Sequence, residues 1–296
     1  SRDFIFFDQR GTGRATPSLY CPNVVEHEYR RFETTDPPEA EDAAGTTEHE
    51  ECAERVRAGA DLDQYDTPTT ARDVDDLRVA LGLDEWNIFG ISYGTAVAME
   101  VLRSHPEGVR SAVLDSVFPP SAEGDDTEFA ELVDGAVQTL VDGCLDDAAC
   151  AERYPDLEAD IGTVIDDLNE SPHRLTYVDH EGQERTANLT GDDVLEAAFG
   201  AMYDSSLIPL LPSFVAMLRA GDTTPLDLIA ERLPASQIGI SDLAYDAVQC
   251  ADRAAIMEAT TRDEVAEDHP RAVRVLGAPE LPAFCDTLGV ERVDEG

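Results

Sequence analysis

Three short apolar runs punctuate the first 120 residues of an otherwise polar chain: Phe4-Ile5-Phe6-Phe7, Trp86-Asn87-Ile88-Phe89 and Val109 to Leu114. Such near-continuous runs predict parallel strands covered on both faces. Between them the spacing turns helical. Thr70-Ala71-Arg72-Asp73 reads as a capping-box-like start, Val74, Leu77 and Leu81 share one face, and Gly82 is the stop. Val97, Val101 and Leu102 mark a second helix that ends before Pro106. Strands alternating with helices predict a doubly wound parallel sheet. The stretch from Thr34 to Thr47, acidic and broken by Pro37, Pro38 and Gly45, shows no period and reads as a solvated excursion.

At Pro119-Pro120 the rhythm changes. Leu132, Val133, Val137 and Leu140, then Val194, Leu195, Ala198 and Phe199, then Phe214, Val215 and Leu218 all follow helical spacing. One hairpin interrupts them, Leu175-Thr176-Tyr177-Val178 turning through His180-Glu181-Gly182-Gln183. The chain therefore divides into an α/β part over 1–120 and a mostly helical part with a small hairpin over 121–296. Three parallel strands would leave two long sheet edges open. The expectation is an internal piece of a longer protein, with strands missing at both ends.

The second apolar run leads into Gly90-Ile91-Ser92-Tyr93-Gly94, a G-x-S-x-G turn between a strand and a small-residue helix, the pattern of a nucleophile elbow. In so tight a turn the serine is forced into a strained backbone conformation with its Oγ clear of the sheet edge. Gly90 and Gly94 are read as the room that strand and helix need to approach. The helix start then points unpaired N–H groups at a developing acyl oxyanion, with the Tyr93 N–H first in line.

Charge narrows the setting. Asp and Glu number 63 against 21 Lys+Arg, a formal net charge of -42, and all the cations are arginine. So large an excess of one sign works against a compact state unless salt screens it, which reads as a salt-adapted surface and makes nucleic acid a poor partner. Six cysteines, at 21, 52, 144, 150, 250 and 285, form an even set with no C-x-x-C spacing and no histidines in a zinc pattern. Structural disulfides fit better than metal, with buried free thiols as the alternative, and an exported protein follows. No apolar run is long enough to span a membrane and no signal peptide stands in the chain. The loop Asp8-Gln9-Arg10-Gly11-Thr12-Gly13-Arg14 lacks the spacing of a phosphate cradle, and Arg10 and Arg14 are read as clamps on acidic groups of that same loop. No cofactor or metal site is expected.

With these residues in view the chain resembles the proline iminopeptidase and tripeptidyl aminopeptidase branch of the α/β-hydrolases, including secreted serine peptidases with a TAP-like C-terminal domain. The resemblance rests on Asp3 to Gly13, on Trp86 to Thr95, on Ser111-Ala112-Val113-Leu114-Asp115 and on Cys250-Ala251-Asp252. It implies an α/β-hydrolase fold, here a partial parallel sheet with flanking helices, plus a mostly helical cap. It also implies Ser92 as nucleophile, the Tyr93 N–H as an oxyanion donor, and disulfides Cys21–Cys52, Cys144–Cys150 and Cys250–Cys285. In such enzymes the second oxyanion donor precedes the strand at Phe4, and the triad acid and histidine follow the cap. The expectation is that these lie before Ser1 and after Gly296, leaving the 296 residues alone inactive.

Internal residues do not fill the gap. His105 reads as a helix terminator, His180 as a turn residue, and His27, His49, His173 and His269 as surface. Asp115 reads as a loop anchor before a triad acid. Asp252 is a candidate to hold a substrate ammonium group. The function expected is aminopeptidase-type removal of residues from peptide substrates with a free N-terminus, through an acyl-enzyme. The alternatives are an esterase or acyl hydrolase of the same fold and a non-catalytic binding protein.

Overall fold

A computed structural model describes residues 3–34, 36, 38–119, 126–179, 181–230, 241–253, 265, 267–269, 272 and 281–290. The sheet forms where the apolar runs can pair. Strand β1 (Trp86–Ile91) lies parallel to β2 (Val109–Asp115), with Ile88 opposite Ala112, Phe89 opposite Val113 and Ile91 opposite Asp115. Helix α3 (Thr67–Ala80) leads into β1, and α4 (Tyr93–Ser104) connects the two strands. Ala71 and Val74 of α3 and Val97 and Val101 of α4 close over Trp86, Ile88 and Val109. This buries one face of the pair.

The other face is open. Phe89 and Val113 are 56% and 55% exposed, and Ile91 is exposed beside them. The expectation of strands buried on both faces is therefore corrected, as is the strand at Phe4–Phe7: that segment forms no strand, with Phe4 76% and Phe6 91% exposed. An apolar run specifies an extended conformation, but a strand also needs a neighbour to complete its hydrogen bonds. Only β1 and β2 form a parallel sheet among the described residues.

Two further corrections concern helices. Helix α3 begins three residues before the expected box, because the Asp66 carboxylate accepts from the Thr69 N–H at 2.5 Å and supplies the cap. The expected excursion is largely helix: α1 (Pro22–Glu33) is followed by α2 (Pro38–Arg57). Strong helix formers such as Ala and Glu carry α2 without an apolar stripe, so its hydrophobic pattern gives no signal.

The mostly helical part is as expected in type. Helices α5 (Asp126–Asp146), α6 (Ala148–Arg153) and α7 (Leu157–Glu170) precede an antiparallel hairpin of β3 (His173–Val178) and β4 (Glu184–Leu189). Then come α8 (Gly191–Ala201), α9 (Leu211–Arg219), α10 (Asp242–Asp252) and α11 (Leu281–Leu288). One core joins Leu19, Val24, Leu62 and Tyr65 to Leu243, Ala247, Phe284 and Leu288. A second packs Phe32 of α1 on Leu175, Tyr177, Ala187 and Leu189 of the hairpin.

Arg185 fastens that hairpin. Its guanidinium donates to Asp179 at 2.8 Å and to both oxygens of Glu26, and stacks 4.0 Å from the ring centre of Tyr29. All three disulfides implied by the resemblance are formed, Cys21–Cys52, Cys144–Cys150 and Cys250–Cys285. No described helix is long and apolar enough to cross a membrane.

Candidate active site

The turn from β1 into α4 is tightly constrained. Ser92 has φ 53° and ψ -125°, a conformation that non-glycine residues adopt at a cost of about 1–3 kcal/mol. Its neighbours enforce it. The Ser92 N–H donates to the Asp115 carbonyl at the end of β2, 3.1 Å away. The Ser92 carbonyl accepts from both the N–H and the hydroxyl of Thr95, at 2.8 and 2.7 Å. Thr95 is fully buried, and its Oγ1 accepts in turn from the Phe118 N–H at 2.8 Å. Thr95 thus pins the elbow to the loop after β2, a role the motif alone did not reveal.

Of the two glycines, Gly90 answers to a close approach: a Cβ there would overlap the backbone carbonyl of Gly94. The reading of Gly94 is corrected. A Cβ at that position meets nothing within 4 Å, so the crowding lies on the strand side of the turn.

With its backbone held on both sides, the Ser92 side chain is exposed at the turn. Tyr93 opens α4, so its N–H lies ahead of the intrahelical ladder. Its ring turns inward. Tyr93 Oη lies 2.9 Å from Thr67 Oγ1, and burial pushes the phenol up to about 12. Thr67 is held from the far end of the chain: its N–H and hydroxyl donate to Asp252, at 3.1 and 2.5 Å. Burial, with Asp66 and Glu100 nearby, pushes the Asp252 carboxyl up to about 6. Asp252 therefore faces α3 through hydrogen bonds to Thr67.

Asp115 contributes its carbonyl to the elbow, while its carboxylate meets Ser116 Oγ at 3.4 Å, in keeping with a loop anchor. The arginine reading of the first loop is corrected. Arg10 reaches out of its loop to Asp73 of α3 at 2.6 and 2.8 Å and to the Gln64 carbonyl, while Asp8 accepts from the backbone N–H of Arg14.

The histidines disperse. His105 ends α4, 3.8 Å from Asp75. His173 opens β3. His27, expected at the surface, is only 5% exposed, because it lies on the inner face of α1 with Val24 and Val25. His49 bonds the Gly45 carbonyl at 2.8 Å and lies 3.4 Å from Asp246, and burial pulls its imidazole below the ordinary value. His269 pairs with Asp134 of α5 at 2.7 Å. His180 lies outside the described residues. No described hydrogen bond joins any of these imidazoles to Ser92, and among the described residues no cluster of three or more His, Cys, Asp or Glu is arranged to hold a metal ion.

This geometry coincides with a family match: the model of the alpha/beta hydrolase fold covers residues 1–145. The match places residues 1–145 in the α/β-hydrolase superfamily. The matched region contains β1, the elbow, α4 and β2. Across a longer span, the chain is 24% identical to the serine protease Hip1 of Mycobacterium tuberculosis over 290 residues, 91% of this chain and 54% of the relative. It is 38% identical over 126 residues to a tripeptidyl aminopeptidase of Streptomyces lividans, 41% of this chain and 23% of that protein. It is 27% identical over 114 residues to a proline iminopeptidase of Xylella fastidiosa, 38% of this chain and 23% of that protein. The chain spans about half the length of the longest-matching of these relatives and less of the others.

Proposed function

We propose that the whole protein is a serine exopeptidase that removes residues from the N-termini of peptides through an acyl-enzyme. The observation that carries the reading is the backbone of Ser92, left-handed at a strand-to-helix turn and braced on both sides, with an exposed side chain. Strain of this kind survives only where the surroundings over-determine it, and it concentrates at reactive positions.

In this reading Ser92 Oγ attacks the scissile carbonyl and the Tyr93 N–H receives the oxyanion. A histidine, oriented by an acid, takes the serine proton and passes it to the leaving amine. The helical region over 121–296 acts as a cap that restricts entry to chain ends. Similarity to a tripeptidyl aminopeptidase and a proline iminopeptidase supports the exopeptidase choice over an ester hydrolase. The three disulfides support export, and the charge of -42 supports work in concentrated salt.

The test is a fluorophosphonate probe with the full-length protein in molar KCl. Ser92 is expected to be labelled and Ser92→Ala to lose both labelling and about 10³-fold or more in turnover. Aminoacyl-arylamides with a free amine should be cleaved and their N-acetyl derivatives spared. Absence of labelling, or equal cleavage of acetylated substrates, removes the proposal.

A further inference from the structure

The last turn of α10 reaches the elbow by two separate routes. The first starts at Asp252, which accepts both the N–H and the hydroxyl proton of Thr67. With the one hydroxyl proton of Thr67 committed to the carboxylate, the 2.9 Å contact to Tyr93 has a fixed direction: Tyr93 O–H donates to Thr67 Oγ1. The burial that raises the phenol keeps that proton in place. Tyr93, Thr67 and Asp252 form one chain of donors ending on a carboxylate, and such chains reinforce one another.

The second route starts at the next residue. The Arg253 guanidinium lies 4.6 Å from the ring centre of Phe118, whose N–H donates to Thr95 Oγ1. Thr95 in turn holds the Ser92 carbonyl through two hydrogen bonds. Two successive residues thus reach the elbow from far along the chain, Asp252 lying 185 positions after Thr67. They sit beside Cys250, which the disulfide to Cys285 ties to α11.

Asp66 takes the Thr69 N–H at the start of α3, and Asp252 takes the Thr67 N–H, but capping alone leaves the second bond of Asp252, to the Thr67 hydroxyl that also meets Tyr93, without a role. A carboxylate placed near Asp66 and Glu100 also meets repulsion from both. We propose that Asp252 and Arg253 are positioning residues, a two-sided clamp through which the helical region sets the Ser92 backbone and the direction of the Tyr93 N–H. Its kinetic consequence rests on the acyl-transfer reading above; the clamp itself does not. Misplacing a reacting group by about 1 Å costs on the order of 10²-fold in rate. Undocking α10 would therefore switch off turnover while leaving Ser92 exposed.

The test compares Thr67→Val, close to isosteric but unable to relay a hydrogen bond, with Thr67→Ser, which keeps the relay. Both are made in the full-length protein, with Arg253→Ala alongside. Thr67→Val is expected to lower kcat about 10- to 100-fold with KM within about twofold, and Thr67→Ser to stay within about threefold of the parent. Arg253→Ala should lower kcat in the same sense. Amide hydrogen exchange at residues 92–96 should quicken about tenfold in Thr67→Val while peptides from α7 and α9 stay unchanged. Unchanged kcat and elbow exchange in Thr67→Val, or exchange that quickens throughout the chain, overturns the clamp. If the parent neither labels nor turns over but elbow exchange still responds to Thr67→Val, the acyl-transfer reading falls and the clamp stands.

Discussion

The two-stranded sheet and the helices α1, α2, α10 and α11 solve the same problem in opposite ways. Around β1 and β2, apolar side chains such as Phe89 and Val113 are uncovered on one face within these 296 residues, and order depends on short hydrogen bonds between near neighbours. In the helical core, Leu19, Leu62, Leu243 and Leu288 are almost wholly buried, and two disulfides close loops across 31 and 35 residues. Local pins give geometric precision at one residue; distant covalent ties give a stable platform. The elbow uses both, being shaped by Thr95 and Asp115 and approached by the end of α10.

The sharpest way to break the contrast is to cut the platform. Replacing Cys250 and Cys285 by serine removes a 35-residue closure that contributes about 3–4 kcal/mol, whereas the 6-residue closure of Cys144–Cys150 contributes about 2. Denaturant titration in molar salt should show the larger loss for the Cys250–Cys285 double variant. An equal loss for both would show that loop length does not govern the staples.

A smaller effect separates the two glycines of the turn. Gly90→Ala drives a methyl into the Gly94 carbonyl and should cost about 1–3 kcal/mol and abolish labelling of Ser92. Gly94→Ala has open space and a helical position, so stability should hold or rise by up to about 1 kcal/mol. Equal losses in the two thermal melts would contradict the one-sided crowding.

The smallest effect probes the helical interior. Asp246 is buried with Oδ2 lacking a hydrogen bond, and burial pushes its carboxyl well above 3.8, with Asp242 adding to the rise. A carboxyl raised on folding adds stability that is full below its unfolded value and lost as pH rises through its folded one. Asp246→Asn, which never ionises, should therefore gain about 1–2 kcal/mol over the parent at pH 8 and little at pH 4, at constant salt. A gain confined to pH 4 would reverse the assignment.

Much of this was legible because it is local. The G-x-S-x-G turn, both strands of the sheet, the hairpin and the helical character of the second half each follow from a few adjacent residues. The disulfide pairs came through family resemblance. What stayed hidden depends on distance in sequence. Nothing near Arg10 names Asp73, and nothing near Thr67 names Asp252. Helix α2 escaped because a polar helix has no apolar period to read, and His27 because one histidine among acids does not reveal which face of α1 turns inward. Thr95 offered a faint signal, a hydroxyl three residues after the serine, where it can reach back to the turn.

The backbone at Ser92 carries one more implication, for protein engineering. A residue held at φ 53° and ψ -125° is one that glycine would occupy with less strain. A library screened for thermal tolerance alone should thus enrich Ser92→Gly, discarding the side chain on which the proposed chemistry depends. At this position the fitness peaks for endurance and for catalysis lie apart, and selection would have to score turnover in every round to keep the serine.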